Sequence, residues 1–266
     1  MAEREEMKAE QRDWKYISGT VAKAADRYAM DVLGMRSLDL METASSRVAE
    51  YITRKYLYQR DMTISVLSGV GNNGADGVCV ARMLLEEGYQ PRVFLVGKLE
   101  KASWELLYQL FYYQQCGGVV TPYRVDETSS YGAGLRSRAN DERIRKEAPS
   151  CCKRNTDVLR DDDLLIDAIF GIGLHREVTG EYRDFMEEAA RHRHGYTLAI
   201  DAPSGIDTDT GALMGCGIRA DVTITFGHNK LGLTQGEGRL YAGEVRVEDI
   251  GIPEEAYEEA EKRCRA

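Results

Sequence analysis

An apolar run, a glycine-rich turn and the start of a helix follow one another in the segment Thr63–Gly77, which reads TISVLSGVGNNGADG. Its first part, Thr63–Leu67, is rich in β-branched residues and predicts a short buried strand. We expect the helix to run from about Asn73 to Glu87, where Gly88 ends it. The sequence therefore predicts a strand–turn–helix unit, and the free N–H groups at the start of its helix favour an anion.

The same alternation continues on both sides of this unit. Two amphipathic helices precede it, one from Ser18 to about Val32 and one that begins near Ser37. Strands that alternate with helices form parallel sheets with helices on both faces. We therefore predict an α/β fold with a mostly parallel central sheet. The further strands are expected at Arg92–Val96, Leu164–Phe170, Thr197–Asp201, Val222–Phe226 and Gly243–Val247, and the further helices at Ala102–Cys116 and Glu181–Arg193.

The organisation of the chain favours one domain, because the sequence contains neither an internal repeat nor a low-complexity linker. We place this domain at residues 17–255, between a disordered N-terminus at 1–16 and a C-terminal tail at 256–266. The segment 124–162 is polar and charged. It is expected to form a loop with one helix near Arg138–Glu147.

The composition is acidic, with 266 residues, a formal net charge of −9 and 43% hydrophobic residues. A negative net charge disfavours binding to DNA or RNA, because their phosphates repel it. The sequence has no apolar run of the ~18 residues that a membrane span needs, and no apolar segment at its N-terminus. We therefore expect a cytoplasmic protein that binds neither nucleic acid nor membranes.

The six cysteines are expected to be free thiols, since none forms a C-x-x-C pair. A chain of this length does not need disulfides for stability. Adjacent Cys151 and Cys152 lie in a stretch rich in Lys and Arg without a nearby histidine, which argues against a metal or redox role.

Three glycines, Gly69, Gly71 and Gly74, have the G-x-G-x-x-G spacing of a dinucleotide-binding turn. An NAD-dependent dehydrogenase also needs an acid about 20 residues further on, at the end of the next strand, to bind a ribose. That strand end reads Val96-Gly97-Lys98, and Glu100 comes too late. An NAD-dependent oxidoreductase is therefore only an alternative interpretation.

Three predicted strands are followed by segments that combine glycine with polar side chains. These segments are Gly69–Gly77, Asp167–Arg176 and Asp201–Asp207. The carboxyl ends of parallel strands open on one edge of a sheet, where α/β folds bind their ligands. A single aspartate at a strand end is more often a turn or a helix cap. Three such segments together indicate a functional site.

Four blocks of the sequence carry a resemblance to a known family. They read GVGNNGADG at 69–77, DAIFGIGLHR at 167–176, DAPSGID at 201–207, and TITF at 223–226 followed by Lys230. In this order they resemble the NAD(P)H-hydrate epimerase family, the YjeF N-terminal domain. The resemblance extends from Leu40 to Pro253 and so covers most of the chain.

The resemblance implies a Rossmann-like, three-layer α/β/α fold and a homodimer. It also implies an isomerase that interconverts the R and S epimers of hydrated NADH and NADPH. The functional partner in this repair is an ADP- or ATP-dependent NAD(P)H-hydrate dehydratase, which restores only the S form. The alternative is a non-catalytic nucleotide-binding or scaffold protein of the same fold, which is expected to lack the aspartate present here at position 201.

The resemblance also implies which residues bind the substrate and a potassium ion. The potassium ligands are Asn73, Asp167 and Ser204. One amide, one carboxylate and one hydroxyl suit a large monovalent cation better than Mg²⁺ or Zn²⁺. The implied substrate contacts are Asn72, Asn73, Gly74, Ala75, Asp76, Gly171, Ile172, Gly173, Leu174, His175, Arg176, Glu177 and Asp201.

Epimerisation at carbon 6 of the hydrated ring moves protons without net redox chemistry. One carboxylate can give and retake a proton, and Asp201 is our candidate for this acid and base. Ring opening and loss of hydroxide both stay open as routes. The chain departs from the family pattern at Thr43, Ser45 and Ala75. Ala75 replaces a glycine, which is harmless in a helix but harmful where φ must be positive.

Overall fold

The computed structural model describes residues 16–123, 159, 161–192 and 194–265. The strands are β1 (Tyr16–Ile17), β2 (Ile64–Ser68), β3 (Pro91–Leu95), β4 (Val119–Pro122), β5 (Asp162–Ala168), β6 (His194–Ile200), β7 (Val222–Phe226), β8 (Asn229–Lys230) and β9 (Glu244–Glu248). Seven of these strands form one parallel sheet in the order β4-β3-β2-β5-β6-β7-β9. β1 pairs with β8 in a separate two-stranded ladder.

The helices cover both faces of this sheet. They are α1 (Gly19–Asp31), α2 (Ser37–Lys55), α3 (Asn72–Glu86), α4 (Trp104–Gln115), α5 (Gly180–Arg191), α6 (Gly236–Tyr241) and α7 (Glu254–Arg265). Ser18 caps α1, because its hydroxyl accepts the backbone N–H of Val21 at 3.1 Å. Within the ranges given above, the structure contains no helix that is both long enough and apolar enough to cross a membrane.

The predicted α/β class, the mostly parallel sheet and the two N-terminal helices are confirmed. The sequence did not predict β4, the β1–β8 ladder or α6. Part of the segment predicted as a C-terminal tail, 256–266, belongs to α7. The predicted helix near Arg138–Glu147 and most of the predicted disordered N-terminus lie outside the described residues.

The order of the strands reverses between β2 and β5. From β2 the chain passes to β3 and β4 on one side, and then returns to β5 on the other side of β2. Ser68, the last residue of β2, pairs with Ala168 at the end of β5, and Asp167 pairs with Ala199 of β6. The loops after these strands leave the sheet in opposite directions at such a reversal, and the crevice between them is where open α/β sheets bind ligands.

Alternate residues of the strands pack into different helical layers. Ile166 of β5 packs in the cluster that contains Val78 of α3 and Leu110 of α4. Its neighbour Leu165 packs on the other face, with Phe185 of α5. The chain therefore has the three layers that the resemblance implies.

A third cluster joins the two ends of the described chain. Helices α1 and α7 pack through small side chains, which include Ala25, Ala29, Ala256 and Ala260, and through Tyr257. The Tyr28 hydroxyl donates to the Glu255 carboxylate at 3.1 Å. Helix α1 is thereby held over the carboxyl edge of the sheet, beside the β1–β8 ladder.

Gly77 lets α3 lie directly on the sheet. A Cβ atom at this position would lie 2.5 Å from the Cβ of Ala168 and 3.2 Å from Cγ1 of Val66. Both neighbours belong to central strands, so neither can move without disturbing the ladder. The glycine at the end of the quoted segment is thus required by packing and not by a positive φ.

We expect Gly77→Ala to destabilise the fold by about 1–2 kcal/mol, because overpacking outweighs the gain in helix propensity. The measurement is urea denaturation followed by circular dichroism. Gly173→Ala is the matched control, since a Cβ there meets nothing within 4 Å. Equal stability of the two variants would contradict the close approach of α3.

Candidate active site

A cavity of about 650 Å³ lies at the carboxyl edge of the sheet. Its floor is formed by the loops after β2, β5 and β6, and its other walls by α1 and α2. Ala22 and Met30 of α1 and Leu40 and Met41 of α2 give these walls an apolar surface. A cavity of this size and character at a reversal of strand order is typical of a small-molecule site.

Nine of the substrate residues implied by the resemblance line this cavity. They are Asn72, Asn73, Asp76, Gly171, Ile172, Gly173, Leu174, Arg176 and Asp201. Gly74 and Ala75 are buried in the first turn of α3, behind the surface of the cavity. His175 is turned towards Asp207, whose carboxylate lies 3.1 Å from its Nδ1 atom, and Glu177 is exposed beside Gly215. These four residues do not line the cavity.

The three departures from the family pattern preserve the backbone around the cavity. The Ala75 N–H donates to the Gly71 carbonyl at 3.1 Å inside α3, and its φ is negative, so the missing glycine is not required there. Ser45 donates to the Asp76 carbonyl at 3.3 Å and so links α2 to α3. The Thr43 hydroxyl is used within α2, where it donates to the Asp39 carbonyl.

Asp201 lies directly after β6 and has a φ of 66°, the one positive φ of a non-glycine residue among the described residues. Its N–H donates to the Ile224 carbonyl of the neighbouring strand at 2.7 Å, which holds the unusual conformation. A strained backbone of this kind costs about 1–3 kcal/mol and is found where function requires a fixed side chain.

The carboxylate of Asp201 is held on both oxygens. Oδ1 lies 3.0 Å from the Lys230 ammonium and accepts the Thr225 hydroxyl at 3.2 Å. Oδ2 accepts the Ile172 N–H at 3.2 Å. Lys230 is 2% exposed and also donates to the Thr225 hydroxyl and the Phe226 carbonyl, each at 2.8 Å. All hydrogen-bond donors of the ammonium therefore have partners inside the protein, and the ammonium orients a carboxylate that faces the cavity.

Asp167 and Ser204 form a second polar cluster beneath the floor of the cavity. Asp167 is fully buried and accepts both the Ser204 hydroxyl at 2.6 Å and the Ser204 N–H at 2.7 Å. Burial raises the pKa of Asp167 to about 6, and the hydrogen bonds from Ser204 and Ile169 act in the opposite direction. No lysine or arginine of the described chain forms an ion pair with this carboxylate.

Asn73, the third residue implied in potassium binding, lies against Gly171 in the loop that follows β5. A Cβ on Gly171 would lie 3.1 Å from Oδ1 of Asn73 and 2.9 Å from Oδ2 of Asp201. The Nδ2 atom of Asn73 is buried without a hydrogen-bond partner. Groups of three or more His, Cys, Asp or Glu side chains that could hold a metal are absent from the described residues, so any ion would depend on this oxygen set.

Two further carboxylates face the cavity, Asp76 of α3 and Asp26 of α1. Burial raises the pKa of Asp26 to about 6; the Lys230 charge lowers this pKa and the Asp201 charge raises it. Burial also raises the pKa of Asp76 well above its usual value, and Asp201, Asp26 and Glu105 raise it further. Asp26 was not predicted from the sequence, because it lies outside the four blocks. Its position beside Ala22, Ala25 and Ala29, on the apolar side of a predicted helix, was the available signal.

Basic side chains also reach the cavity from three separate segments. Lys23 lies on α1, Lys101 follows β3, and Arg176 follows β5. Of these three residues, only Arg176 was predicted from the sequence, because Lys23 and Lys101 lie outside the four blocks. Together they give an acidic protein a local surface that can attract an anion.

The four cysteines that the structure describes form no disulfide, as expected. Cys79 is buried in α3, Cys216 is partly buried, and Cys116 and Cys264 are exposed. Cys151 and Cys152 lie outside the described residues.

The chain is similar to known proteins along most of its length. The chain is 35% identical to the NAD(P)H-hydrate epimerase of Limosilactobacillus fermentum, over 88% of this chain and 95% of that protein. It is 32% identical to the NAD(P)H-hydrate epimerase of Oenococcus oeni, over 90% of this chain and 98% of that protein. The crystal structure of yeast ynu0 (YNL200c) has the same fold, with a TM-score of 0.64, 20% identity and 88% coverage of both chains.

The family described as YjeF-related protein N-terminus matches residues 37–232, which include β2, β5, β6, β7 and all three loops at the floor of the cavity. The chain belongs to this family.

Proposed function

We propose that this protein is an NAD(P)H-hydrate epimerase, which interconverts the R and S epimers of hydrated NADH and NADPH. One observation carries the proposal: Asp201 is fixed by Lys230, Thr225 and Ile172 on the floor of a cavity large enough for a nicotinamide ring. The relatives that bear this name align with nearly the whole of their own length.

The polar groups of the cavity suit an anionic nucleotide. The first N–H groups of α3, beginning at Asn72, have no partner within the helix and can bind a phosphate. Lys101 and Arg176 supply positive charge at the cavity. The apolar walls from Met30, Leu40 and Met41 can cover a nicotinamide ring and exclude water from it.

The chemistry requires a proton to be removed and returned while carbon 6 changes its configuration. Asp201 acts as the acid and base, because its carboxylate faces the cavity and is held at a fixed position. Lys230 orients Asp201 and balances its charge, and it is not itself available to the substrate since it is buried. Epimerisation needs no redox cofactor, because no electrons are transferred.

We also propose that Asn73, Asp167 and Ser204 bind a potassium ion. The buried Asp167 carboxylate has no positively charged partner among the described side chains, and the Asn73 amide is close to the same loop. These oxygen atoms fit a weakly charged, large cation. When bound, the ion would supply positive charge below the loop Gly171–Arg176, which forms part of the cavity.

A dehydratase specific for the S epimer is the proposed functional partner, and a homodimer is the proposed assembly. Both proposals rest on membership of the family.

The epimerase proposal is tested by mixing the purified protein with both epimers of hydrated NADH and an S-specific dehydratase. We expect the R epimer to be consumed far faster than by its spontaneous conversion, as followed by NADH absorbance. Persistence of the R epimer after the S epimer is exhausted would contradict the proposal.

Asp201→Asn is expected to lower kcat by about 100-fold or more, because an amide cannot take up and return the proton. The measurement is the same coupled assay, with folding checked by circular dichroism. Asp61→Asn, at an exposed position in the turn before β2, is the control and should leave kcat unchanged. Full activity of Asp201→Asn would remove this residue from the mechanism.

Potassium chloride is expected to raise Tm by about 2–6 °C relative to lithium chloride at equal ionic strength, because a ligand that binds only the folded state stabilises it. Differential scanning fluorimetry measures this shift. The difference between the two salts should disappear in Asp167→Asn. Equal Tm values of the wild type in both salts would overturn the ion site.

A further inference from the structure

Asp26 occupies an unusual position on α1. The helix turns an apolar face towards the protein, formed by Ala22, Ala25 and Ala29, and the half-buried Asp26 lies at the edge of this face. Its side chain lines the cavity that also contains Asp201. A carboxylate on the inner face of a helix is costly unless it is paired or serves a ligand.

No pairing partner for Asp26 occurs in the described part of the chain. The structure shows no hydrogen bond and no ion pair for its carboxylate, whereas Asp201 has three donors. The Lys230 ammonium acts on Asp26 electrostatically but is bonded to Asp201, Thr225 and Phe226. Asp26 therefore has its hydrogen-bonding capacity free for a molecule in the cavity.

Several charged groups share the cavity with Asp26. Asp201 after β6 and Lys230 in β8 act on it electrostatically, and Asp76 on α3 is coupled to it. Lys23 on α1 itself, Lys101 and Arg176 line the same cavity. Three carboxylates thus share the space around a single buried ammonium. Like charges in such a space favour a state in which one carboxylate carries a proton, and burial favours the same state. Asp26 differs from Asp201 in having no direct ion pair.

We propose that Asp26 is a second catalytic residue, which acts as the acid where Asp201 acts as the base. This inference rests on the proposed epimerase function. The two groups reach the cavity from different walls, Asp26 from α1 and Asp201 from the sheet edge. A pair of carboxylates whose environments differ in this way can divide an acid role and a base role between them.

The proposed reaction proceeds by ring opening, in which all atoms and electrons are accounted for. Asp201 removes the proton from the hydroxyl on carbon 6, the C–O bond becomes a carbonyl, and the bond between carbon 6 and N1 breaks. The electron pair of that bond goes to N1, and protonated Asp26 gives N1 a proton. After rotation about the bond between carbons 5 and 6, N1 attacks the other face of the carbonyl. Asp26 retakes its proton and Asp201 returns the other, so both groups end as they began.

Asp26→Asn tests this role, because asparagine keeps the shape and hydrogen-bonding capacity of the side chain and loses the transferable proton. We expect kcat to fall about 100-fold or more with KM changed less than threefold. Asp31→Asn, at an exposed position on the same helix, is the matched control and should keep the wild-type kcat.

Two further measurements separate a catalytic role from a structural one. Wild-type kcat/KM, corrected for the spontaneous reaction, should fall as the pH rises through about 6, where Asp26 loses its proton, and Asp26→Asn should lack this fall. A raised pKa in the folded state means that the ionised carboxylate disfavours folding above that pKa. Asp26→Asn should therefore keep or raise Tm at pH 8.

The possible results separate a failure of the proposed role of Asp26 from a failure of the proposed epimerase function. If the wild type does not accelerate epimerisation, the proposed function fails. If the wild type is active and Asp26→Asn retains its kcat and its pH profile, the function stands and the role of Asp26 is overturned. A loss of kcat together with a lower Tm at pH 8 would also overturn it, because that pattern belongs to a structural residue.

Discussion

The parallel ladder between β2 and β5 places Ser68 opposite Ala168, so the glycine-rich loop and the loop that contains Gly171–Arg176 both begin at the same edge of the sheet. The next ladder, between β5 and β6, brings Asp201 to the same edge. Because side chains alternate along a strand, a shift of one residue in the β5–β6 ladder would turn Asp167 away from Ser204. The hydrophobic core that fixes this register, on both faces of the sheet, therefore also fixes the site.

Charge is distributed unevenly within that site. The buried Lys230 ammonium lies against Asp201, while Asp26 and Asp76 face the same cavity without such contact. An isolated ionised group in this position would be costly, so each carboxylate needs a bound ligand or a proton to compensate it. The site therefore has a higher free energy without a ligand than with one. Stability is commonly sacrificed in this way at sites that carry out chemistry.

Much of the fold could be predicted from the sequence, because strand–helix alternation and glycine at strand ends are local signals. The candidate site could be predicted where it belongs to continuous blocks, as for Asp201 and Arg176. The part of the site that α1 forms could not be predicted, because the packing of α1 over the sheet depends on contacts with α7 and on the β1–β8 ladder. The sequence shows Asp26 beside the apolar face of α1, but it does not show which site this face covers. His175 and Glu177 were predicted as substrate contacts because they follow Leu174 in the same loop. Successive side chains of a loop point in different directions, and these two do not line the cavity.

The packing of α1 against α7 affects the order in which the protein can fold. Tyr28 and Glu255, which meet between these helices, are 227 residues apart in the chain. Contacts between such distant residues must overcome a larger loop-closure entropy than the contacts between neighbouring strands and helices. The central sheet can therefore gain its core before the two ends of the described chain meet. The wall that carries Asp26 is completed by contacts between the two ends of the described chain, and the cavity acquires its final shape when they form.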